Sequence, residues 1–174
     1  WYQAGWWKSA YQPHVLMEGG RVVANVSVNP MICTIDGQVK RAVQLGTVMT
    51  DESSRNKGLS RYLMERVLEE WKDQCDLIYL FANDSVLDFY PKFGFVKARE
   101  YAFSMKIKPG SQAAGRAVKL DMGKAKDRER FLNMAAASKA PYRLDVWRQP
   151  GLLMFYAAGI GEIQDSVYYI EELG

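Results

Sequence analysis

Apolar and polar positions change rhythm several times along the chain. "YQPHVLMEGG" (11–20) reads as a strand ended by a Gly-Gly turn. "RVVANVSVNPMICTIDGQ" (21–38) is a longer strand, broken near Asn29-Pro30 and closed by Asp36-Gly37, a strong hairpin signal. "KRAVQLGTVMT" (40–50) is the returning strand, so residues 11–50 predict an antiparallel meander of three strands. From Lys57 to Trp71 the period changes. Leu59, Leu63, Val67 and Trp71 recur every fourth residue, with Met64 and Leu68 beside them, while Arg61, Glu65 and Glu69 lie opposite. That is one apolar helix face, and its ordinary use is packing on a core.

"DLIYLFAND" (76–84) is nearly continuous in apolar residues, the pattern of a strand covered on both faces. Strand, helix, strand then predicts a parallel pair with a right-handed crossover. "SVLDFYPKFGF" (85–95) reads as a short helix stopped near Pro91 and Gly94, and "VKAREYAFSMKI" (96–107) alternates as a strand. "KPGSQAAGR" (108–116) is small, polar and glycine-rich, the composition of a linker. Beyond it come a strand ("AVKLDM", 117–122), a helix (125–138), a helical stretch interrupted by Pro150 (144–159) and a strand (166–172).

A faint repeat joins the two parts. "YQAG" at 2–5 is answered by "YAAG" at 156–159, and at the same offset the strand at Pro13–Met17 is answered by "VYYIE" at 167–171. The expected organisation is a first domain over 1–107, a linker over 108–116, and a partial second unit or C-terminal helical extension over 117–174. The chain opens on Trp1 rather than Met, so further residues are expected before it. "VYYIEELG" reads as a strand entering a turn whose next strand is missing.

Composition narrows the possibilities. Of 174 residues, 48% are hydrophobic and 25% charged, the mix of a soluble globular protein with a core of ordinary size. The net charge of +3 comes from scattered residues without a dominant basic stripe, so neither nucleic acid nor a membrane is expected as partner. A mild positive balance suits a small anionic ligand as well. Two scattered cysteines, Cys33 and Cys75, fit a reducing cytoplasm. One histidine, His14, excludes a multi-histidine metal site, and no metal is expected.

Chemistry gathers in "TVMTDESSRNKGLSRYLMERVLEEW" (47–71). A helix start carries unpaired amide hydrogens and the positive end of the helix dipole, and binds phosphate where side chains leave room. Gly58 supplies the room, Ser60 is small, and Arg55 and Lys57 bring charge. Arg-x-x-Gly-x-Ser alone also fits an ordinary helix start among solvated basic residues. The Walker loop and the Rossmann fingerprint both fail on their glycine and lysine spacing.

"V-M-T-D-E-S-S-R-N-K-G-L-S" (48–60) followed by "F-A-N-D-S-V-L-D-F-Y-P-K-F-G-F" (81–95) resembles the GNAT family of acyl-CoA-dependent N-acyltransferases, over about residues 11–107. The family's final Gly or Ala is Ser60 here, which leaves an extra hydroxyl near the pyrophosphate. The usual proline before the arginine is replaced by Glu52 and Ser53. The resemblance implies an α+β fold: a mixed, mostly antiparallel sheet with one parallel β-α-β step, flanked by helices. It also implies acetyl-CoA as co-substrate, lying in a V-shaped opening between the strand ending at Thr50 and the strand at 76–82. Val48, Met49 and Thr50 match the backbone positions along the pantetheine. Arg55, Asn56, Lys57, Gly58, Leu59 and Ser60 match the pyrophosphate loop. Asn83 matches a polar residue beside the pantetheine arm, and Tyr90 the tyrosine that protonates the departing thiolate. Without the family match, Tyr90 reads as a half-buried aromatic packed under the sheet.

The implied reaction is acetyl transfer to a primary amine on a small molecule or peptide, by direct attack. The general base stays open among Glu18, Asp51, Glu52, His14, a water chain or a group outside this segment. The competing reading is a GNAT-like module that binds acyl-CoA or a protein partner without transferring anything. The second part has no Arg-x-x-Gly-x-Gly/Ala turn. It either shapes the substrate cleft or offers a homo-oligomer surface through Trp147, Phe155, Tyr168 and Tyr169, unless these aromatics fill a core.

Overall fold

A computed structural model describes residues 3, 5, 6, 10–99, 104, 106, 116–138, 143–146, 149–159 and 167–171. The predicted meander is present: β1 (Gln12–Glu18), β2 (Arg21–Ile35) and β3 (Gln38–Thr50) pair antiparallel in sequence order. The β2–β3 turn is two residues, Asp36 (φ 48°) and Gly37 (φ 79°), the doubly positive conformation that matches strand twist. Helix α1 (Leu59–Trp71) follows, and β4 (Leu77–Leu80) returns parallel to β3. The fold is thus α+β, with a mostly antiparallel sheet and one parallel pair. No helix among the described residues is long and apolar enough to cross a membrane.

The core lies between the sheet and α1. Ala24, Val26 and Val28 of β2, Val43 and Leu45 of β3, and Leu63, Met64 and Val67 of α1 form one buried cluster. The helix face read from the four-residue spacing is the face that packs. On the other side of the sheet, Met31, Cys33 and Ala42 form a smaller cluster with Ile35, Leu77, Tyr79 and Val146 against them.

Several expectations are corrected. β2 is not broken at Asn29-Pro30, which pair with Gln44 and Val43. The pairing of β1 with β2 ends at Gln12–Val28, so Pro30 sits where that edge of β2 is open and a missing N–H is tolerated. The irregularity lies instead opposite Val26, where β3 carries an extra residue. β4 is shorter than 76–84, and its four residues are only half-buried. The predicted helix at 85–95 is two 3-10 turns, Asp84–Val86 and Tyr90–Phe93. Pro91 opens the second turn, and its ring and missing N–H prevent one continuous α-helix. Gly94 does cap this segment, donating to the Pro91 carbonyl at 3.1 Å. Val96–Arg99 joins no ladder, and Val96 is 93% exposed, so nothing there offers a strand a face to bury. Most of 100–107, like 108–115 of the predicted linker, lies outside the described residues.

In the second part, β5 (Ala117–Lys119) pairs antiparallel with β7 (Tyr168–Ile170), and α2 (Ala125–Ala137) lies between them in sequence. The stretch 144–159 is not helical throughout. Leu144–Asp145 form β6, which pairs with Ile35 and Thr34 of β2. Helix α3 starts only at Pro150 and continues as a π-helical turn over Phe155–Gly159. Proline fits the first helical position and biases the residue before it away from helix.

Replacing Met64, fully buried in the main cluster, by Ala is expected to destabilise the chain by about 2–5 kcal/mol in denaturant unfolding.

Candidate active site

Two strands that part create the opening. β3 and β4 pair from Ala42–Leu77 to Leu45–Leu80 and no further, while β3 runs on to Thr50. Just past the last pair, β3 bulges. Thr47 takes φ 49°, and Thr47 with Val48 faces Val26 alone, between the Gly46–Ser27 and Met49–Asn25 pairs. A bulge bends a strand and sharpens its twist, so it turns β3 away from β4.

The loop after β3 is tightly folded. Asp51 opens a 3-10 turn (Glu52–Ser54), accepting from the Ser53 amide at 3.1 Å and the Ser53 hydroxyl at 2.5 Å. The Ser53 hydroxyl, then its amide, hold the Asp51 carboxyl below its ordinary range. Ser54 is buried, and Asn56 turns the chain with φ 63°. Gly58 precedes α1 with φ 76°, and no side chain caps the helix start. A Cβ added at Gly58 would meet nothing within 4 Å. The first amides of this 13-residue helix thus have no side-chain cap, and the space beside Gly58 is open. Arg55 and Lys57 are exposed beside them, with Arg55 3.9 Å from Glu52. The Ser60 hydroxyl does not stand free: it shares a short hydrogen bond with the Thr50 hydroxyl, tying the strand end to the helix start.

Tyr90 arrives from the other side. It is half-buried and packs with Phe89, Phe93 and Phe95 on the main core cluster, which also takes Val48 and Leu59. Its ring meets Phe89 edge-on at 5.3 Å and Phe95 at 6.1 Å. Burial pushes its phenol above the ordinary value. Val48, Leu59 and Tyr90 thus pack against the same core cluster. Asn83 is exposed at the head of the first 3-10 turn, where its carbonyl accepts from Val86 at 3.0 Å. Met49 is exposed on β3.

The base candidates fare differently. His14 bonds Glu70 at 3.2 Å, near the last turn of α1, roughly 18 Å along the helix from Gly58. Asp51 is committed to Ser53, as described. Glu52 and Glu18 are exposed. Sequence reasoning missed Asn25 and Ser27, buried polar residues that face the bulge from β2. Polar residues inside the apolar run "VVANVSV" were the available signal. Two surface hollows lie elsewhere, one of about 360 Å³ beside α2 and Tyr169, the other of about 300 Å³ beyond Trp71.

The parallel pair thus ends beside a glycine helix start that no side chain caps. The profile of the acetyltransferase (GNAT) domain matches residues 2–98, and the chain belongs to this family of acetyltransferases. Among solved structures, an acetyltransferase from Trypanosoma brucei is 24% identical, with 61% of this chain and 76% of that one covered and a TM-score of 0.50. A predicted acetyltransferase from Clostridium acetobutylicum, solved with acetyl-CoA, is 18% identical, with 60% and 70% covered and a TM-score of 0.50. A transcriptional regulator from Bacillus halodurans is 22% identical, with 61% and 72% covered and the same TM-score. These likenesses establish the shared fold. No curated protein sequence matches the chain significantly.

Gly58→Ala is expected to destabilise the protein by about 1–2 kcal/mol in denaturant melts, through the left-handed backbone alone, because the space beside it is open.

Proposed function

We propose that the chain moves an acetyl group from acetyl-CoA to a primary amine by direct attack. The observation that carries this reading is the uncapped start of α1 at Gly58, set beside strands that part after Leu45 and Leu80. A diphosphate suits such a corner, because amide hydrogens and the helix dipole favour an anion there. Backbone amides from Arg55 to Ser60 would hold it, with Arg55 and Lys57 adding charge. The Val48–Thr50 backbone would run beside the pantetheine, and Asn83 beside its arm. Bound acetyl-CoA supplies the thioester whose acyl carbon the amine attacks.

The chain's own groups then act on that reaction. A backbone amide within Val48–Thr50 polarises the carbonyl as negative charge grows on its oxygen. Tyr90 donates its phenolic proton to the leaving sulfur as general acid. Its raised pKa keeps the phenol protonated through neutral and mildly alkaline pH. With Asp51 and His14 both engaged by neighbours, Glu18, Glu52, a water molecule or a group outside the described residues is left to take the amine's proton. The acceptor is a small-molecule or peptide amine. The same reading divides the chain into a GNAT unit to residue 107, a linker over 108–116 and a partial second unit over 117–174. The strand–helix order of β5 and α2 and the "YAAG" echo support this division.

Acetyl-CoA at a hundred times its dissociation constant is expected to stabilise the protein by ~2.7 kcal/mol in thermal melts. Thiol release across an amine panel separates transfer from binding alone, and a melt unchanged by acetyl-CoA would sink both. Tyr90→Phe should lower turnover by about 10²–10⁴-fold with acetyl-CoA affinity nearly intact. An acid must be protonated, and burial raises the Tyr90 pKa, so the alkaline loss of the Tyr90-dependent rate should be centred above the ordinary phenol value of ~10. Rates at stepped pH in both proteins check this.

A further inference from the structure

The bulge on β3 is held by side chains that the reaction outlined above leaves without a role. Thr47 is β-branched, and its left-handed conformation costs roughly 1–2 kcal/mol unless its surroundings impose it. Asn25, only 6% exposed, imposes it from β2. Its Nδ2 donates to the Thr47 carbonyl at 2.6 Å and to the Ser27 hydroxyl, itself fully buried, at 2.9 Å. From β1's end of the sheet, the Tyr11 hydroxyl donates to Thr47 Oγ1 at 3.1 Å. Two side chains thus converge on one residue of the bulge, and Ser27 holds one of them.

The direction of the next amide follows from peptide geometry. In a trans peptide the carbonyl and the N–H point in opposite directions, and no peptide bond among the described residues is cis. The Thr47 carbonyl is drawn to Asn25 on β2, so the Val48 N–H points away from Asn25. On the far side of β3 from β2, the last β4 residue in register is Leu80, opposite Leu45. The Val48 amide therefore points away from Asn25, and β4 offers it no partner in register beyond Leu80.

We infer that Asn25 is a positioning residue: by fixing the Thr47 carbonyl it aims the Val48 amide at the thioester oxygen in the opening. This rests on the acetyl transfer proposed above and names which amide serves it and what holds it there. Asn25 forms no bond to substrate and moves no proton. It keeps a donor in place before charge develops, the condition under which such donors are most effective.

The test uses acetyl-CoA labelled with ¹³C at the carbonyl, bound to the intact chain. In the unaltered protein the carbonyl resonance should move downfield, and the Val48 amide proton should move downfield with acetyl-CoA but not with free CoA. Asn25→Ala should return the carbonyl resonance toward its free position. It should also lower kcat by about 10- to 100-fold while acetyl-CoA affinity changes less than about threefold. Ser27→Ala, a one-atom deletion, should give a smaller loss of the same kind. If kcat and affinity fall together, or the carbonyl shift survives in Asn25→Ala, Asn25 merely supports the fold and the inference is overturned. A Val48 amide that responds equally to acetyl-CoA and CoA overturns it even where Asn25→Ala does not fold. Failure of the unaltered protein to bind acetyl-CoA at all overturns the proposed function itself, and this inference with it.

Discussion

The separation of β3 from β4 is the constraint on which the rest of the molecule's chemistry depends. A parallel pair satisfies its backbone groups as long as it stays in register, and here the register holds for only four residue pairs. Beyond Leu80 β4 ends, and β3 runs on to Thr50 without a partner strand on that edge. An extended molecule with alternating amides can satisfy that edge much as a strand would. The bulge makes the separation a property of the fold. Thr47 and Val48 stand opposite a single residue of β2, and a bulge there bends and twists β3 just past its last pair with β4.

The corner at the end of β3 shows how a small sequence departure changes its setting. A glycine or alanine at position 60 would leave the Thr50 hydroxyl without this partner. Ser60 instead closes a side-chain bond between the last residue of β3 and the second residue of α1. Strand end and helix start thus move as one piece, and the loop between them is braced again by Asp51 on Ser53 and by the buried Ser54. A binding corner gains from this, because amides already in place lose less freedom when an anion arrives.

Periodicity made the meander, α1 and its packing face legible, because each buries one side of a regular element. The loop was legible as composition: a basic, glycine-bearing turn at a helix start. The family motifs raised it from one option to an expectation. The misreadings share a cause. Pro30 looked like a break because proline usually is, but β1 ends before it, and pairing lengths are not written in one strand's sequence. The 85–95 segment has apolar spacing that suits a helix, yet Pro91 sits in its middle and decides the backbone. Leu144 and Asp145 carry no strand signal of their own and become a strand only because β2 leaves its edge free at Thr34 and Ile35. The bulge escaped notice because its cause, Asn25 acting across the sheet, is a tertiary contact.

Asp36 and Arg143 give the chain a long-range closure. The Arg143 guanidinium grips both Asp36 carboxylate oxygens at 2.5 and 2.7 Å, and the Asp36 amide donates to the Arg143 carbonyl at 2.8 Å. These residues are 107 positions apart, whereas the strands of the meander meet through turns of two residues. Loop-closure entropy rises slowly with length, by ~0.6 kcal/mol per doubling, but search time favours the near contacts. Contact separation therefore favours the meander forming before the clasp on its Asp36-Gly37 tip. In the finished molecule the same order runs in reverse. The clasp is exposed and small, and it can open while the buried β2–β3–α1 core stays shut.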